Sequence, residues 1–420
     1  MFVEYYQGTN IMLEDFLSYI VEELSINKAD KLLLAVSGGV DSMVMVELFH
    51  KSGFNCEVAH VNHSTRNGQS DKDAAYVKEA CLKIDVPCYI KVLDYDSLSK
   101  GNFQSNARDA RYSFFESIIA EKHMDYLATA HHMDDRWETF VMNLNRKSGI
   151  SGLTSLKPRV GSIIRPLLCF TKQEIQEYAH EKKIAFVADA SNDTDDYTRN
   201  KVRHHLTEAA SDIFPGFIKN VNQSINNLEK SYNLIGSLIQ SGGFVDYSIS
   251  REIVDIDKVK SIGCATELLF HIISPKGFTH SDTMNMLSTE STGSMFYSST
   301  HEALYDRGKL IIRTKREKIE NSILIHKTGN YKLQDGRLLV YSENNSISKS
   351  DKSLYLDSSY FEGKKLNIRS ILPGDRYYPK HMEGKSKSVK KYLSDLKIDR
   401  FSKEKTLVIL VDNKIIQLLH

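Results

Sequence analysis

Residues 32–42 have the sequence Leu-Leu-Leu-Ala-Val-Ser-Gly-Gly-Val-Asp-Ser, and an apolar-periodic stretch from Met43 to Phe49 follows them. This pattern predicts a buried strand, then a phosphate-binding loop at residues 37–42, then a helix. Two adjacent glycines let the backbone turn sharply and approach a ligand, while the following helix presents unpaired N–H groups to an anion. A Gly-Ser turn alone is common, but the strand-turn-helix setting favours phosphate binding.

The side chains of this loop suit a nucleotide. Ser37 and Ser42 add hydroxyl donors, and Asp41 offers a carboxylate to a metal ion. The loop is neither the Walker pattern, which contains a lysine, nor the three-glycine dinucleotide fingerprint. It resembles the loop of the N-type ATP pyrophosphatases, the PP-loop superfamily. The resemblance implies cleavage of ATP between its α and β phosphates and an adenylated substrate. It assigns six residues to ATP binding, namely Ser37, Gly38, Gly39, Val40, Asp41 and Ser42.

Length and composition limit the class of protein. The chain has 420 residues, of which 41% are hydrophobic and 26% are charged, which predicts two or three domains of a globular protein. No apolar run approaches the ~20 residues of a membrane helix, and no export signal is evident, so we expect a cytoplasmic protein with no membrane partner. The cysteines include no CxxC pair, which argues against disulfides, structural zinc and an iron-sulfur cluster.

Charge is unevenly distributed along the chain. The net charge is only +1, but residues 362–405 hold thirteen Lys/Arg against six Asp/Glu. Lysines surround Tyr392 in this segment, a mixture suited to phosphate contacts with an occasional stacked base. A solvated helix face would have the same composition, and charge alone does not separate the two interpretations.

The first half of the chain predicts an α/β fold. Apolar strands are expected at four places, separated by amphipathic helices at three, and this alternation is typical of a parallel sheet with helices on both faces. Ligands of such sheets bind at the carboxyl ends of the strands, where the loop lies. Thr171 and Glu174 form a capping-box signature that begins a further helix, ending near Lys182. The predicted strands are 31–36, 56–61, 86–92 and 126–130, and the predicted helices are 43–51, 70–84 and 104–122.

The second half has a different pattern. One long amphipathic helix is predicted from Phe217, more helix at 265–290, and paired strands at 296–313. Asp335-Gly336 and Asp412-Asn413 are predicted hairpin turns between apolar alternations. We expect three domains: an ATP pyrophosphatase domain at 1–215, a mainly helical domain at 216–320, and a small, strand-rich α+β domain at 321–420.

Polar clusters follow the predicted strands and occupy one predicted helix. The segment His60-Val61-Asn62-His63-Ser64-Thr65-Arg66 ends the second strand, although a histidine there is more often structural than catalytic. In Asn106-Ala107-Arg108-Asp109-Ala110-Arg111-Tyr112 the two arginines share a helix face and can grip phosphates or a carboxylate. Surface pairing with Asp109 or Glu116 is the alternative, which we favour without further context.

A third cluster lies at Ala130-His131-His132-Met133-Asp134-Asp135-Arg136-Trp137-Glu138-Thr139, past the fourth strand and entering a helix. Asp135 and Glu138, three residues apart, can share a face and hold a cation. The spacing of zinc hydrolases is absent, so an ammonium group or the magnesium of ATP fits these carboxylates better than zinc does.

Together these motifs resemble the tRNA(Ile)-lysidine synthetase family over most of the chain. The middle region matches only in its helical character. The loop and the three polar clusters follow the family's order, and so do four further segments: Ile164-Arg165-Pro166-Leu167, Asp189-Ala190-Ser191-Asn192-Asp193, Arg199-Asn200-Lys201-Val202-Arg203 and Pro373-Gly374-Asp375-Arg376.

The resemblance implies a two-step reaction. ATP, with Mg²⁺, adenylates the C2 oxygen of the wobble cytidine in an isoleucine tRNA with a CAU anticodon, and free L-lysine then attacks C2. The product is lysidine, with release of AMP and pyrophosphate. The site must therefore neutralise pyrophosphate, expose one base from its stack and hold lysine with its ε-amine able to lose a proton.

The resemblance also assigns roles to residues. Asp41 would be the magnesium-side carboxylate, Arg108 and Arg111 would approach the cytidine or its phosphate, and the basic C-terminal domain would contact the acceptor region. Asp135 and Glu138 would bind the ammonium groups of lysine, and Arg199 and Arg203 would face the anticodon or the developing charge. The expected catalytic residues are Asp41, Arg111, Asp135, Glu138 and Arg203, and the expected substrate-binding residues are His63, Arg66, Arg108, His131, Asp135, Glu138 and Arg199.

Two departures from the family pattern are visible. Arg136 replaces the usual glutamine, and Asn145-Arg146-Lys147-Ser148-Gly149 replaces a glycine-rich segment, so an extra cation could alter tRNA contacts. A tRNA sulfur-transfer enzyme of the same superfamily is the nearest alternative, but such enzymes commonly need a reactive cysteine pair or an iron-sulfur site. A noncatalytic nucleotide-responsive RNA-binding protein would explain the loop and the basic segment, but not Asp135 and Glu138.

Overall fold

The computed structural model describes most of the chain as two compact units, residues 1–234 and 235–420. None of the helices in the described part is long and apolar enough to cross a membrane. The ranges described are 8–62, 69–93, 103–187, 198–248, 251–315, 320–342, 348–349, 353–357, 365–379 and 385–419.

The first unit is built on a six-stranded sheet in the order β3-β2-β1-β4-β6-β5. All pairs are parallel except the terminal β5/β6 pair. The four predicted strands are confirmed, each with bounds that differ from the prediction by two residues or fewer. The strands are β1 Lys31–Ala35, β2 Asn55–Asn62, β3 Cys88–Val92, β4 Tyr126–Thr129, β5 Arg159–Val160 and β6 Ile163–Ile164.

Helices connect these strands, and the three predicted between β1 and β4 are confirmed. The capping box of Thr171 and Glu174 is also present, at the start of α7. A π-helical turn, Tyr19–Glu23, extends α1, and another, Val202–Thr207, extends α8. The helices are α1 Gly8–Ser18, α2 Val40–Ser52, α3 Gln69–Lys83, α4 Phe103–Lys122, α5 Met133–Asn145, α6 Ile150–Leu153, α7 Lys172–Glu181, α8 Thr198–Lys201, α9 Glu208–Ile213 and α10 Phe217–Ser241.

The apolar run of β1 explains the layered arrangement. Leu32 and Leu34 belong to one buried cluster, whereas Leu33 belongs to a second cluster on the other face of the sheet. Successive side chains of a strand point to opposite faces, so an unbroken apolar strand must be covered on both. This confirms the α/β class that the alternating pattern predicts, and it places the loop at the carboxyl edge of β1.

Helix α2 begins at Val40, three residues before the predicted start. Gly39 is its N-cap, so Asp41 and Ser42 belong to the first helical turn and the loop proper is residues 37–39. The prediction relied on apolar periodicity, which polar first-turn residues do not display. Gly38 has φ +97°, and Val77 Cγ2 lies 3.3 Å from the position that a Cβ would take there, so glycine is required on two grounds.

The second unit is rich in antiparallel strands. A five-stranded antiparallel sheet has the order β7-β8-β11-β10-β9, and its core includes helices α12 and α13. Its strands are β7 Val245–Ser248, β8 Arg251–Asp255, β9 Met295–Tyr297, β10 His301–Asp306 and β11 Lys309–Thr314, and its helices are α11 Ile256–Lys260, α12 Ala265–Ile273 and α13 His280–Ser288.

Smaller sheets complete this unit, in the orders β12-β17-β20-β21, β13-β14-β16-β15 and β18-β19. Both predicted hairpin turns are present: Asp412 and Asn413 join β20 to β21 with φ of 50° and 62°, and Gly336 has φ +83° between β13 and β14. The predicted domain boundaries at 215/216 and 320/321 stay predictions. The elements are β12 Ser322–Ile325, β13 Gly329–Lys332, β14 Leu338–Ser342, β15 Ser348–Lys349, β16 Ser353–Asp357, β17 Leu366–Ser370, β18 Arg376–Tyr377, β19 Lys387–Ser388, α14 Val389–Asp395, α15 Arg400–Lys405, β20 Leu407–Val411 and β21 Lys414–Leu419.

Candidate active site

The loop after β1 is held in shape by its own serines. The buried hydroxyl of Ser42 accepts a hydrogen bond from the Gly38 amide at 3.1 Å and donates to the Gly39 carbonyl at 2.9 Å. Ser37 Oγ accepts from the Gly39 amide at 3.3 Å and lies 3.3 Å from Ser42 Oγ. The Gly38 carbonyl accepts from the Val187 amide at 3.0 Å. The first turn of α2 is therefore presented at the sheet edge in a fixed orientation, as anion binding requires.

Asp41 is paired with a residue distant in sequence. Its Oδ1 lies 2.6 Å from Lys172 Nζ, and both side chains are partly exposed. Lys172 is the first residue of α7, and its backbone amide donates to Asp134 Oδ2 at 2.8 Å. One lysine thus joins the ATP loop to the start of α5. In the sequence Lys172 is recognisable only as the residue that follows the helix N-cap Thr171.

Asp135 and Glu138 share a face of α5 and meet the same two arginines. The Glu138 carboxylate is fully buried, and its oxygens accept from Arg199 Nε at 2.5 Å and from Arg203 Nε at 2.8 Å. Asp135 Oδ1 is farther away, 3.3 Å from Arg199 and 3.9 Å from Arg203. Since a buried charge needs charged partners, Glu138 anchors both arginines at this site.

The two histidines before α5 titrate in opposite directions. Burial, with the positive charges of Arg165 and Arg199 nearby, lowers the pKa of His131 to about 4. Burial also acts to lower the pKa of His132, but the carboxylates of Asp135, Asp134 and Asp41 outweigh it, so the pKa of His132 is raised. His131 is therefore uncharged at neutral pH, beside a histidine that holds its proton more tightly.

The hydroxyl of Thr129 lies within hydrogen-bond distance of His131. The Thr129 hydroxyl donates to the Ile164 carbonyl at 3.4 Å and lies 3.0 Å from His131 Nδ1. In the tautomer in which the hydroxyl proton is directed to the Ile164 carbonyl, Nδ1 is the N–H donor of this pair. His131 Nε2 then carries a lone pair that can accept a proton or a hydrogen bond.

Three guanidinium groups, those of Arg108, Arg111 and Arg165, lie near Tyr112. Arg108 and Arg111 lie 5.0 and 5.9 Å from the centre of the Tyr112 ring, and burial together with the charge of Arg108 lowers the pKa of Arg111. The pKa of Arg165 is lowered by the same two causes. Within the ranges that the structure describes, none of the three forms an ion pair with a carboxylate. Surface pairing with Asp109 or Glu116 is thus not seen, and the cluster suits an anionic ligand.

Arg165 was not a predicted site residue, although it lies in the recognised segment 164–167. Its Nη1 donates to the Lys157 carbonyl at 2.6 Å, and its Nε is buried without a partner among the described residues. In the sequence Arg165 is a single arginine before a proline. That pattern does not indicate that it lies near Arg108 and Tyr112 of α4.

Arg136 does not add an accessible cation. Its side chain is buried, with Nη1 donating to Asn226 Oδ1 at 2.6 Å and Nη2 to Glu229 Oε2 at 3.0 Å, both on α10. Glu229 therefore neutralises Arg136 within the unit. An effect of this departure on tRNA contacts stays a prediction.

The remaining predicted residues fall into two groups. The structure brings Asp41, His131, Asp135, Glu138, Arg199 and Arg203 together around the start of α5, with Arg108 and Arg111 connected to them through Arg165. His63, Arg66 and the segment 189–193 lie outside the described residues. No cluster of three or more His, Cys, Asp or Glu side chains suited to a metal ion is found in the part of the chain that the structure describes.

These features define a PP-loop protein: a parallel sheet with the SGGVDS loop at the carboxyl edge of its first strand. A profile of the PP-loop domain matches residues 11–210, and a profile of the TilS substrate binding domain matches residues 250–316. The tRNA(Ile)-lysidine synthase of Bacteroides thetaiotaomicron is 30% identical, covering 96% of this chain and 93% of that protein. The chain belongs to the tRNA(Ile)-lysidine synthase family.

Other proteins are similar to a smaller degree. The tRNA(Ile)-lysidine synthase of Parabacteroides distasonis is 29% identical over 94% of this chain and 92% of its own length. A solved structure of a U34-tRNA thiolase from Methanococcus maripaludis is 17% identical, with a TM-score of 0.44 over 53% of this chain and 79% of that chain.

Replacing Glu138 with Gln is expected to destabilise the first unit. The substitution leaves two guanidinium groups around a neutral amide, at a cost of about 2–3 kcal/mol in the free energy of unfolding. Urea denaturation followed by circular dichroism measures this cost. Glu121→Gln, which changes an exposed glutamate on α4, is the matched control and should be nearly neutral. Equal effects of the two substitutions would contradict the anchoring role of Glu138.

The depressed pKa of His131 predicts a pH dependence. Its folded-state pKa of about 4 lies below the ordinary 6.5, so between these values the unfolded chain binds a proton that the folded protein does not. The free energy of unfolding therefore falls as the pH falls through this window, by at most ~1.4 kcal/mol per pH unit. Denaturation at neutral pH and near pH 4.5 should show a larger loss for the wild type than for His131→Asn. The same loss in both proteins would refute the assignment.

Proposed function

We propose that this chain converts the wobble cytidine of an isoleucine tRNA with a CAU anticodon into lysidine, using ATP and free lysine at the site in the first unit. Lysidine formation on an isoleucine tRNA follows from membership of the family, since relatives that match nearly the whole chain are tRNA(Ile)-lysidine synthases. The observation that carries the chemistry is an ATP loop with two arginines that are paired with carboxylates and three that, among the described residues, are not.

In the first step the cytidine O2 attacks the α phosphorus of ATP, and the bond from that phosphorus to the bridging oxygen breaks to release pyrophosphate. The first turn of α2 supplies N–H donors to the phosphates, and Lys172 supplies a positive charge next to them. These groups stabilise charge that moves onto the leaving pyrophosphate.

The residues present fit a magnesium ion of the kind that accompanies ATP. Such an ion is usually held by one or two carboxylates together with substrate phosphates, and needs no protein cage. Asp41 is the carboxylate of the SGGVDS motif, and it would hold the ion; its Oδ1 contacts Lys172. When bound, Mg²⁺ neutralises phosphate charge and favours departure of pyrophosphate.

In the second step the ε-amine of lysine attacks C2 of the adenylated base, and the bond from C2 to O2 breaks as AMP leaves. The unpaired cluster of Arg108, Arg111 and Arg165 is suited to the phosphate that joins base and adenosine. The lone pair of His131 Nε2 is suited to accept a hydrogen bond from the amine. The weak basicity of His131 means that proton transfer accompanies bond formation instead of preceding it.

Asp135 and Glu138 have different roles. Both oxygens of Glu138 are engaged by arginines, so we assign Glu138 to positioning Arg199 and Arg203, which face the developing charge. Asp135 has longer contacts with these arginines, and we assign it to an ammonium group of lysine. The basic segment 362–405 is assigned to the acceptor region of the tRNA.

Two other functions are less well supported. A sulfur-transfer enzyme would need a reactive thiol near the loop. Cys169 lies three residues before Lys172, but burial raises the pKa of its thiol, so it ionises less readily than an ordinary cysteine. A noncatalytic RNA-binding protein would not need a fully buried glutamate holding two arginines beside the ATP loop.

Labelled lysine should be incorporated into an unmodified CAU-anticodon isoleucine tRNA transcript in the presence of ATP and magnesium. A transcript with uridine at the wobble position is the control and should accept none. Pyrophosphate release without lysine incorporation would point to another nucleophile, sulfur first. Neither product from folded protein would favour the noncatalytic function.

Asp41→Asn should reduce pyrophosphate release by at least about 100-fold, because the substitution removes the carboxylate that positions Lys172 and reaches the ion. Binding of the tRNA, measured by filter retention, should be largely unchanged. Glu47→Gln, on the same helix and paired only weakly with Lys51, is the matched control. Retained adenylation in Asp41→Asn would remove the proposed role of this carboxylate.

A further inference from the structure

Two cysteines lie together at the edge of the sheet opposite the ATP loop. Cys81 is in the last turn of α3, and Cys88 is the first residue of β3. The turn between them is fixed by two hydrogen bonds: the Val86 amide donates to the Cys81 carbonyl at 3.0 Å, and the Val58 amide to the Pro87 carbonyl at 2.8 Å. This turn places both cysteines in the lining of one surface cavity, where each thiol shifts the pKa of the other.

A surface cavity gives solvent access to this pair. It has a volume of about 210 Å³, and its lining includes both cysteines, Val86, Pro87 and the exposed Lys78. Cys88 is partly exposed, whereas the Cys81 side chain is almost completely buried behind it. A small solute therefore reaches Cys88 first.

The environment distinguishes the two thiols chemically. The hydrogen bond from Cys81 and, after the opposing effect of burial, the charge of Lys78 lower the pKa of Cys88. The same hydrogen bond together with burial raises the pKa of Cys81 far above its ordinary value. A partly exposed thiol that ionises readily, next to a thiol that keeps its proton, is the arrangement of a reactive cysteine with a resolving partner.

We propose that Cys81 and Cys88 form a redox-active dithiol that a peroxide converts reversibly into a disulfide. The Cys88 sulfur attacks one peroxide oxygen, the O–O bond breaks, and water leaves with a cysteine sulfenic acid at Cys88. The Cys81 sulfur then attacks the Cys88 sulfur, the S–O bond breaks, and a second water leaves. Two thiols are oxidised and one peroxide is reduced, so atoms and electrons balance.

This site is separate from the lysidine chemistry, yet it is connected to the ATP loop. Cys88 begins a parallel strand, whereas the active site lies where such strands end. Val77, one helical turn before Cys81 on α3, packs against Gly38 of the loop. A disulfide that pulls the end of α3 toward β3 displaces Val77, and small misplacements at a reacting centre slow a reaction strongly. Oxidation is therefore expected to slow pyrophosphate release about tenfold.

Peptide mapping of the full chain tests this proposal without relying on activity. The protein is treated with stoichiometric hydrogen peroxide, alkylated and digested with trypsin under non-reducing conditions. Cleavage after Lys78, Lys83 and Lys91 places the two cysteines in different peptides, 79–83 and 84–91. We expect these peptides to be joined by a disulfide that dithiothreitol removes. Absence of the joined peptide from folded, oxidised wild-type protein would overturn the proposal.

Single variants test the two roles. Cys81→Ser should accumulate a sulfenic acid at Cys88 that dimedone traps, because no resolving thiol remains. Cys88→Ser should show neither the trapped adduct nor the disulfide, while Cys264→Ser, which changes an exposed isolated cysteine, should behave as the wild type. Equal trapping in Cys88→Ser and Cys81→Ser would overturn the assignment of roles.

Pyrophosphate release by oxidised and re-reduced wild-type protein tests the coupling separately. Slower release that dithiothreitol restores supports the contact through Val77, and unchanged release in protein with a mapped disulfide removes it. If no preparation releases pyrophosphate, the proposed function has failed, whereas the peptide map still decides on the disulfide.

Discussion

The candidate active site depends on one buried carboxylate, that of Glu138. Glu138 is fully buried, and a charge in that position is stable only with cationic partners. Arg199 and Arg203 supply them from a helical segment more than sixty residues along the chain. The ion pairs thereby fix segment 198–207 against α5. The positions of Asp135 and His131 follow, since both contact or sense the same arginines.

Charge at this site is divided into a neutralised half and an unneutralised half. Around α5, acids and bases are interleaved, so the cluster is stable without a ligand. Around Tyr112, by contrast, burial and, to a smaller extent, repulsion from Arg108 lower the pKa of Arg111 and of Arg165. A phosphate placed among them would relieve this repulsion. The electrostatic repulsion in this site thus lies where an anionic substrate can reduce it.

Local patterns predicted what local physics determines. The apolar run of β1 predicted a strand, the adjacent glycines predicted a sharp turn, and Thr171 with Glu174 marked the start of a helix; all three are present. The start of α2 was predicted too late because polar first-turn residues show no apolar period. Strand β8 was missed because four of its five residues are only partly buried, so its sequence has no clear two-residue alternation.

Contacts between residues distant in the chain could not be predicted from the sequence. Nothing near Asp41 signals Lys172, which is 131 residues away, and nothing near Arg136 signals Glu229. Arginine patterns did not show which guanidinium groups would be neutralised and which would stay unpaired. That distinction arises only when the helices are packed, and it separates residues that hold the site together from residues available to a substrate.

Lys172 has one further mechanical consequence. Its backbone amide is tied to Asp134, while its ammonium group rests on Asp41. The backbone of Lys172 is therefore held in place while its side chain can rotate. Transfer of its ammonium group from a carboxylate to a phosphate needs rotation about side-chain bonds and no backbone movement. Binding of a polyphosphate would attract the Lys172 ammonium group away from Asp41 and thereby free the Asp41 oxygen. Two separate binding events thus become one exchange of partners.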